Sequence, residues 1–181
     1  MHHTKKPYTE ATLYEYAVGA LARKMRTVAE LKRLLRNKAI KTDGSEAMIE
    51  TVIRKLKDLK YLNDSQYAAY YSRSRKENEK FGKRRVITDL KTKGVHSDVI
   101  ETAIASAYED SNEEQLARKF VERKRIKKPS TQKEAARIFR MLLRAGFGSG
   151  TIYKVLKKWN VDDELLNVLE SEATEVPQDL S

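Results

Sequence analysis

Few residues in this chain have the types and spacing that bond-making chemistry requires. There is no cysteine, which excludes thiolate nucleophiles, disulfides and thiolate metal sites. His96 is the only histidine beyond His2 and His3, which stand in a polar leader. Asp64, Asp89 and Asp98 lack the spacing that brings oxygen ligands together on a cation. The run Gly146-Phe147-Gly148-Ser149-Gly150 is glycine-rich, but a phosphate-cradling loop follows a strand, and no alternation of strand period precedes it. It reads as a turn between helices. The expectation is a protein that is not an enzyme, with no catalytic residue, no metal and no cofactor.

The spacing of the cations points to binding instead. Lys133, Arg137, Arg140 and Arg144 follow at i, i+4, i+7 and i+11, which places them in one stripe along a helix. Arg118, Lys119, Arg123, Lys124, Arg125, Lys127 and Lys128 crowd the segment before it. Arg84 and Lys91 lie i, i+7 apart, opposite Val86 and Leu90, within a region that also holds Arg73, Arg75, Lys83, Arg85 and Lys93. Like charges at helical spacing cost an isolated helix a few tenths of a kcal/mol per pair, so a partner of opposite charge is implied. DNA phosphates or acidic side chains would serve. Candidate binding residues are therefore Arg73, Arg75, Lys83, Arg84, Arg85, Lys91, Lys93, Arg118, Arg125, Lys133, Arg137, Arg140 and Arg144. Tyr67, Tyr70 and Tyr71 share a helix face; bases stack on exposed rings, but their spacing beside Ala68 is that of core residues.

Charge distribution supports a polyanionic partner. The net charge is +11 over 181 residues. No Lys or Arg follows Trp159, so residues 1–159 hold all 37 basic residues and only 19 of the 26 acidic ones, a net of +18. Each phosphate neutralised by such a surface releases condensed counterions. No apolar run approaches a membrane span and no apolar signal core opens the chain, so a cytoplasmic protein is expected.

The elements that position these residues repeat. Leu90-Lys91-Thr92-Lys93-Gly94-Val95 aligns with Leu142-Leu143-Arg144-Ala145-Gly146-Phe147 at an offset of 52 residues, which Ile100/Ile152 and Ile104/Leu156 maintain. Leu35-Arg36-Asn37-Lys38-Ala39-Ile40 is an earlier copy, with extra residues around Thr42-Asp43-Gly44-Ser45. Each copy contains three helical patterns. In the first, Leu13, Ala17, Ala20 and Leu21 form one apolar face, Thr27-Val28-Ala29-Glu30 opens the next helix as a capping box, and a third helix runs over 45–59. The second copy predicts helices near 64–78, 83–93 and 97–108. The third predicts 112–127, 131–145 and 149–158, with Thr131-Gln132-Lys133-Glu134 as another capping box. Gly94 and Gly146 stand where a left-handed residue ends the middle helix; Ala39 holds that place in the first copy, so its turn must differ or be strained. A short helix is expected around 164–172. Domain boundaries follow: a flexible leader at 1–9, repeats at 10–62, 63–110 and 111–160, and an acidic tail at 161–181. The expected fold is all-α, three tandem helix-turn-helix-like units stacked into an elongated, curved monomer.

These residues carry a resemblance. Ala20-Leu21-Ala22-Arg23-Lys24 with Ala29-Glu30-Leu31, Leu62-Asn63-Asp64 with Tyr67-Ala68, Arg73-Ser74-Arg75, Gly82-Lys83-Arg84-Arg85-Val86, the Leu90–Val95 turn and Arg144-Ala145-Gly146-Phe147 with Ile152 and Leu156 resemble, in order and spacing, the RecX family. The resemblance covers roughly residues 10–158. It departs from the family's pattern at Lys83, often Pro there, and at Ala39, often Gly. It implies a fold of three tandem three-helix units and an activity of binding RecA–DNA filaments and inhibiting their recombinase and ATPase functions. The implied partners are the RecA recombinase filament and single- or double-stranded DNA. The residues alone also fit a plain DNA-binding protein that docks one helix in the major groove.

Overall fold

The computed structural model describes residues 8–40 and 44–175, with side chains up to Ala173. These residues form ten helices and no strand: α1 (Glu10–Arg23), α2 (Val28–Lys38), α3 (Ser45–Asp58), α4 (Asp64–Glu79), α5 (Lys83–Thr92), α6 (Ser97–Tyr108), α7 (Glu113–Arg123), α8 (Gln132–Arg144), α9 (Ser149–Lys157) and α10 (Asp163–Glu175). The all-helical fold and its three-helix units match the sequence expectation. Thr42 and Asp43, part of the extra segment of the first copy, lie outside the described residues.

Side chains of Thr9, Thr27, Asn112 and Thr131 cap α1, α2, α7 and α8, whereas α3 and α9 start at glycine. The Thr27 hydroxyl accepts from the Glu30 amide while the Glu30 carboxylate accepts from the Thr27 amide, the reciprocal box anticipated at α2. Thr9 and Thr12 make an unanticipated box at α1. At α8 the Thr131 hydroxyl accepts from the Glu134 amide, but the Glu134 carboxylate reaches one residue further back, to the amide and hydroxyl of Ser130.

Six helices end alike. Lys60, Lys80, Gly94, Arg125, Gly146 and Asn160 take positive φ, and in each case the next residue's amide donates back to a carbonyl in the last turn. The bonds run from Tyr61 to Leu56, Phe81 to Arg75, Val95 to Leu90, Ile126 to Val121, Phe147 to Leu142 and Val161 to Leu156. The Phe81 bond spans one residue more than the others. This arrangement pairs otherwise orphaned carbonyls and folds an apolar residue over the helix end. It stops α7 at Arg123, short of the expected 127. Ala39 differs: its φ of −96° lies outside the left-handed region, so the first turn is unstrained.

Two compact units result, one drawn from Met1–Tyr70 with Leu90–Ala103 and the other from Tyr71–Asp89 with Ile104–Ser181. The first buries Leu13, Leu31, Leu35, Ile49, Val52 and Leu56 completely. The second is built around Phe120, Phe139, Leu142, Phe147, Ile152 and Leu156. Each such side chain contributes about 1.5–3 kcal/mol when removed from water. The acidic C-terminal segment joins that second core, because Leu166 and Leu169 of α10 are buried in it. Trp159 packs against the same core, half-buried.

Candidate nucleoprotein-binding faces

The α8 stripe is positioned by the apolar face behind it. Ala135, Ile138, Phe139 and Leu142 are buried, and a helix that fixes those four must turn Lys133, Arg137, Arg140 and Arg144 outward. All four cations are exposed. None makes an ion pair with a carboxylate among the described residues. The nearest acid in sequence, Glu134, is held by the Ser130 amide and hydroxyl, which keep its carboxyl below the usual range. The stripe is thus a row of cations over three turns that makes no ion pair among the described residues, Arg137 adding a weaker attraction to Glu134.

The other candidates separate into two groups. Four are occupied within the protein. Lys93 pairs with Glu30 at 2.9 Å and lies 5.9 Å over the Tyr67 ring. Arg85 pairs with Asp89 at 3.0 Å, Arg75 covers the Tyr71 ring at 4.8 Å, and Arg118 pairs with Glu114, which also takes Lys158 at 2.9 Å. In the second group Arg73, Lys83, Arg84, Lys91 and Arg125 stand exposed, with no ion pair among the described residues. Arg84 and Lys91 both project from α5, whose Val86 and Leu90 are fully buried. Arg125 occupies the left-handed position that ends α7.

The tyrosines divide in the same way. Tyr67 is buried and Tyr71 half-buried, donating to Asp89 at 3.1 Å. Tyr70 is 65% exposed, against the expectation that all three belong to the core. Its position on α4 turns it away from the buried side of Tyr67 and Ala68.

No group of three His, Cys, Asp or Glu residues among the described ones is arranged to hold a metal ion. No helix among them is long and apolar enough to cross a membrane.

Comparison with known proteins identifies the architecture. Residues 63–104 match the family model described as RecX, second three-helix domain, and residues 112–156 match RecX, third three-helix domain. The regulatory protein RecX of Bacillus subtilis (strain 168) is 34% identical over 142 residues, and that of Bacillus pumilus (strain SAFR-032) 36% identical over 148. The chain belongs to the RecX family. These matches cover 77% and 80% of the chain, but it spans only about half of the two relatives, 52% and 54% of their length. The RecX of Amycolatopsis mediterranei (strain U-32) is 29% identical, with 80% of this chain and 81% of that protein covered. Among solved structures, RecX from Lactobacillus salivarius superposes with a TM-score of 0.64 at 26% identity, covering 83% of this chain and 96% of that one. A further crystal structure of regulatory protein RecX, at 23% identity and a TM-score of 0.66 over 82% of this chain and 71% of that one, shares the fold. Both RecX domain matches contain a candidate face, α5 in the second domain and α8 in the third.

Proposed function

We propose that this protein is a regulator of recombinational DNA repair, which binds RecA–DNA filaments and inhibits their recombinase and ATPase activities without catalysing a reaction itself. The observation that carries this reading is the α8 stripe, Lys133, Arg137, Arg140 and Arg144, exposed and without ion pairs among the described residues. A row of one sign without such pairs favours a polyanionic partner. The family supplies the identity of the filament; the stripe, with Arg84 and Lys91 of α5, supplies a surface suited to it. The proposed partners are the recombinase filament and the single- or double-stranded DNA within it, met by a cytoplasmic monomer that needs no cofactor.

The test is retention of the protein on immobilised RecA–DNA filaments, beside free RecA and bare DNA. Filaments should retain it more strongly than either component. Equal retention on bare DNA would replace this reading with that of a plain helix-turn-helix DNA-binding protein.

A further inference from the structure

α8 and α9 are joined by the tight turn of Gly146, the connectivity in which the second helix of a helix-turn-helix unit enters a nucleic-acid groove. Ser149, Tyr153 and Lys157 of α9 lie at i, i+4 and i+8, on one face and about 6 Å apart along the axis. All three are engaged by carboxylates of α10. The Ser149 hydroxyl donates to Glu170 at 2.9 Å, the Tyr153 hydroxyl donates to Asp163 at 2.9 Å, and the Lys157 ammonium donates to the other Asp163 oxygen at 3.1 Å. The α9 row consists of donors and the α10 row of acceptor-only groups, the pairing that phosphate oxygens would also satisfy. Charge follows the same division. Lys154, Lys157 and Lys158 mark α9 and its end, whereas α10 carries Asp163, Glu164, Glu170, Glu172 and Glu175 with no basic residue.

We propose that the Ser149/Tyr153/Lys157 face of α9 is a second phosphate-binding face for nucleic acid, and that α10 covers it as an intramolecular competitor whose carboxylates occupy the places of phosphate oxygens. The inference rests on the nucleic-acid contact of the proposed function but concerns a different face from the α8 stripe. Leu166 and Leu169, buried beneath α10, make the covered state the resting one. Lys157 and Asp163 each keep more than half of the side chain exposed, so DNA meets this edge of the face first, and engagement of Ser149 as well requires local opening of α10. Hydrogen bonds from Tyr153 and then Lys157 hold the Asp163 carboxyl below its usual range, in keeping with a carboxylate that stays charged against this face.

The experiment compares two variants with the same change of charge. Asp163→Asn/Glu170→Gln removes the carboxylates that engage α9; Glu164→Gln/Glu172→Gln removes two exposed ones of α10. Affinity for a short bare DNA duplex should rise about fivefold or more in the first variant and less than about twofold in the second. Adding Lys157→Gln to the first should abolish the gain. In the unmodified protein, duplex DNA should speed hydrogen exchange of the α10 amides while slowing that of α9. Equal gains in the two variants would make bulk charge the explanation and overturn the proposal. No gain, or unchanged exchange in α10, would overturn it too. Failure here leaves the α8 reading intact, because that reading is judged on filaments with α8 variants.

Discussion

Gly82 and Gly146 lie so close that a Cβ on Gly82 would stand 2.3 Å from the Gly146 carbonyl oxygen. The Gly82 amide, just before α5, donates to the Ala145 carbonyl at the end of α8 at 2.9 Å. The preceding pair of middle helices meets in the same way: the Thr27 hydroxyl, at the start of α2, donates to the Lys93 carbonyl at 2.6 Å, and a Cβ on Gly94 would stand 2.4 Å from that of Ala29. Lys93 and Ala145 are 52 residues apart, so the sequence repeat is also a repeat of packing. It explains why two of the six left-handed helix ends are glycine while four are not. Glycine sits where the neighbouring middle helix approaches, and a side chain where it does not.

Gly94→Ala and Gly146→Ala should each cost about 2–4 kcal/mol, combining left-handed strain with a collision that nearby backbone cannot relieve. Lys60→Gly and Arg125→Gly, also at positive φ but without a glycine requirement, should instead gain up to about 1 kcal/mol. Chemical denaturation of the four variants checks this. Losses at Gly94 and Gly146 no larger than the gains at Lys60 and Arg125 would show that φ alone, and not the approach of the next helix, selects glycine.

The Glu30–Lys93 pair should make stability depend on pH. Burial works against the Glu30 carboxylate, but the Lys93 ammonium and Thr27 amide outweigh it and hold its pKa below the ordinary value. Stability from a depressed carboxyl is present above its unfolded pKa and is lost as pH falls through the folded one. Lys93 is opposed by burial too, yet its pKa is raised by Glu30 and Tyr67, so its share is present below its unfolded pKa and fades as pH rises through the folded one. Glu30→Gln should cost about 1–2 kcal/mol at neutral pH and flatten the acid limb of the stability curve. An unchanged acid limb would assign the pH dependence to other carboxyls.

How much of this was legible follows from the range of each interaction. Leu90 and Leu142 repeat at 52 residues and are both fully buried, since apolar spacing reports local geometry directly. The ends of α3, α4 and α7 at Lys60, Lys80 and Arg125 carry no glycine, so composition conceals their left-handed turns. α10 is legible as a short helix around 164–172, but its acids conceal that Leu166 and Leu169 share one face and enter the core. For the candidate site, helical spacing suffices to place the α8 stripe outside. Spacing cannot show that Lys93 is held by Glu30, 63 residues away, because that pairing exists only once two repeats meet.

Tyr108→Phe should destabilise the second unit by about 1–2 kcal/mol. The hydroxyl donates to the Phe81 carbonyl at 2.9 Å, and burial pushes the phenol well above the usual tyrosine range. Thermal melting checks the loss, and ultraviolet titration of Tyr108→Phe beside the unmodified protein should show this phenol ionising only well above the usual tyrosine range. A neutral Tyr108→Phe would mean that water replaces the missing donor.

The α8 stripe yields the sharpest separation between stability and binding. Arg137→Gln/Arg140→Gln removes like charges that lie near one another on an exposed face, so the melting temperature should hold or rise slightly. Binding to RecA–DNA filaments should weaken more than about tenfold, or roughly 1.4 kcal/mol. Arg84→Glu/Lys91→Glu on α5 should act in the same direction. If phosphates are the partners of these cations, the slope of log affinity against log salt should flatten by about 0.7–0.9 for each phosphate no longer neutralised. If acidic side chains of the recombinase are the partners, affinity should fall for filaments and hold for bare DNA. Charge reversal at Lys5 and Lys6, which lie outside the described residues, is the control and should do little by comparison. A leader variant that weakens binding as much as the α8 variant would make net charge, rather than this face, the source of affinity.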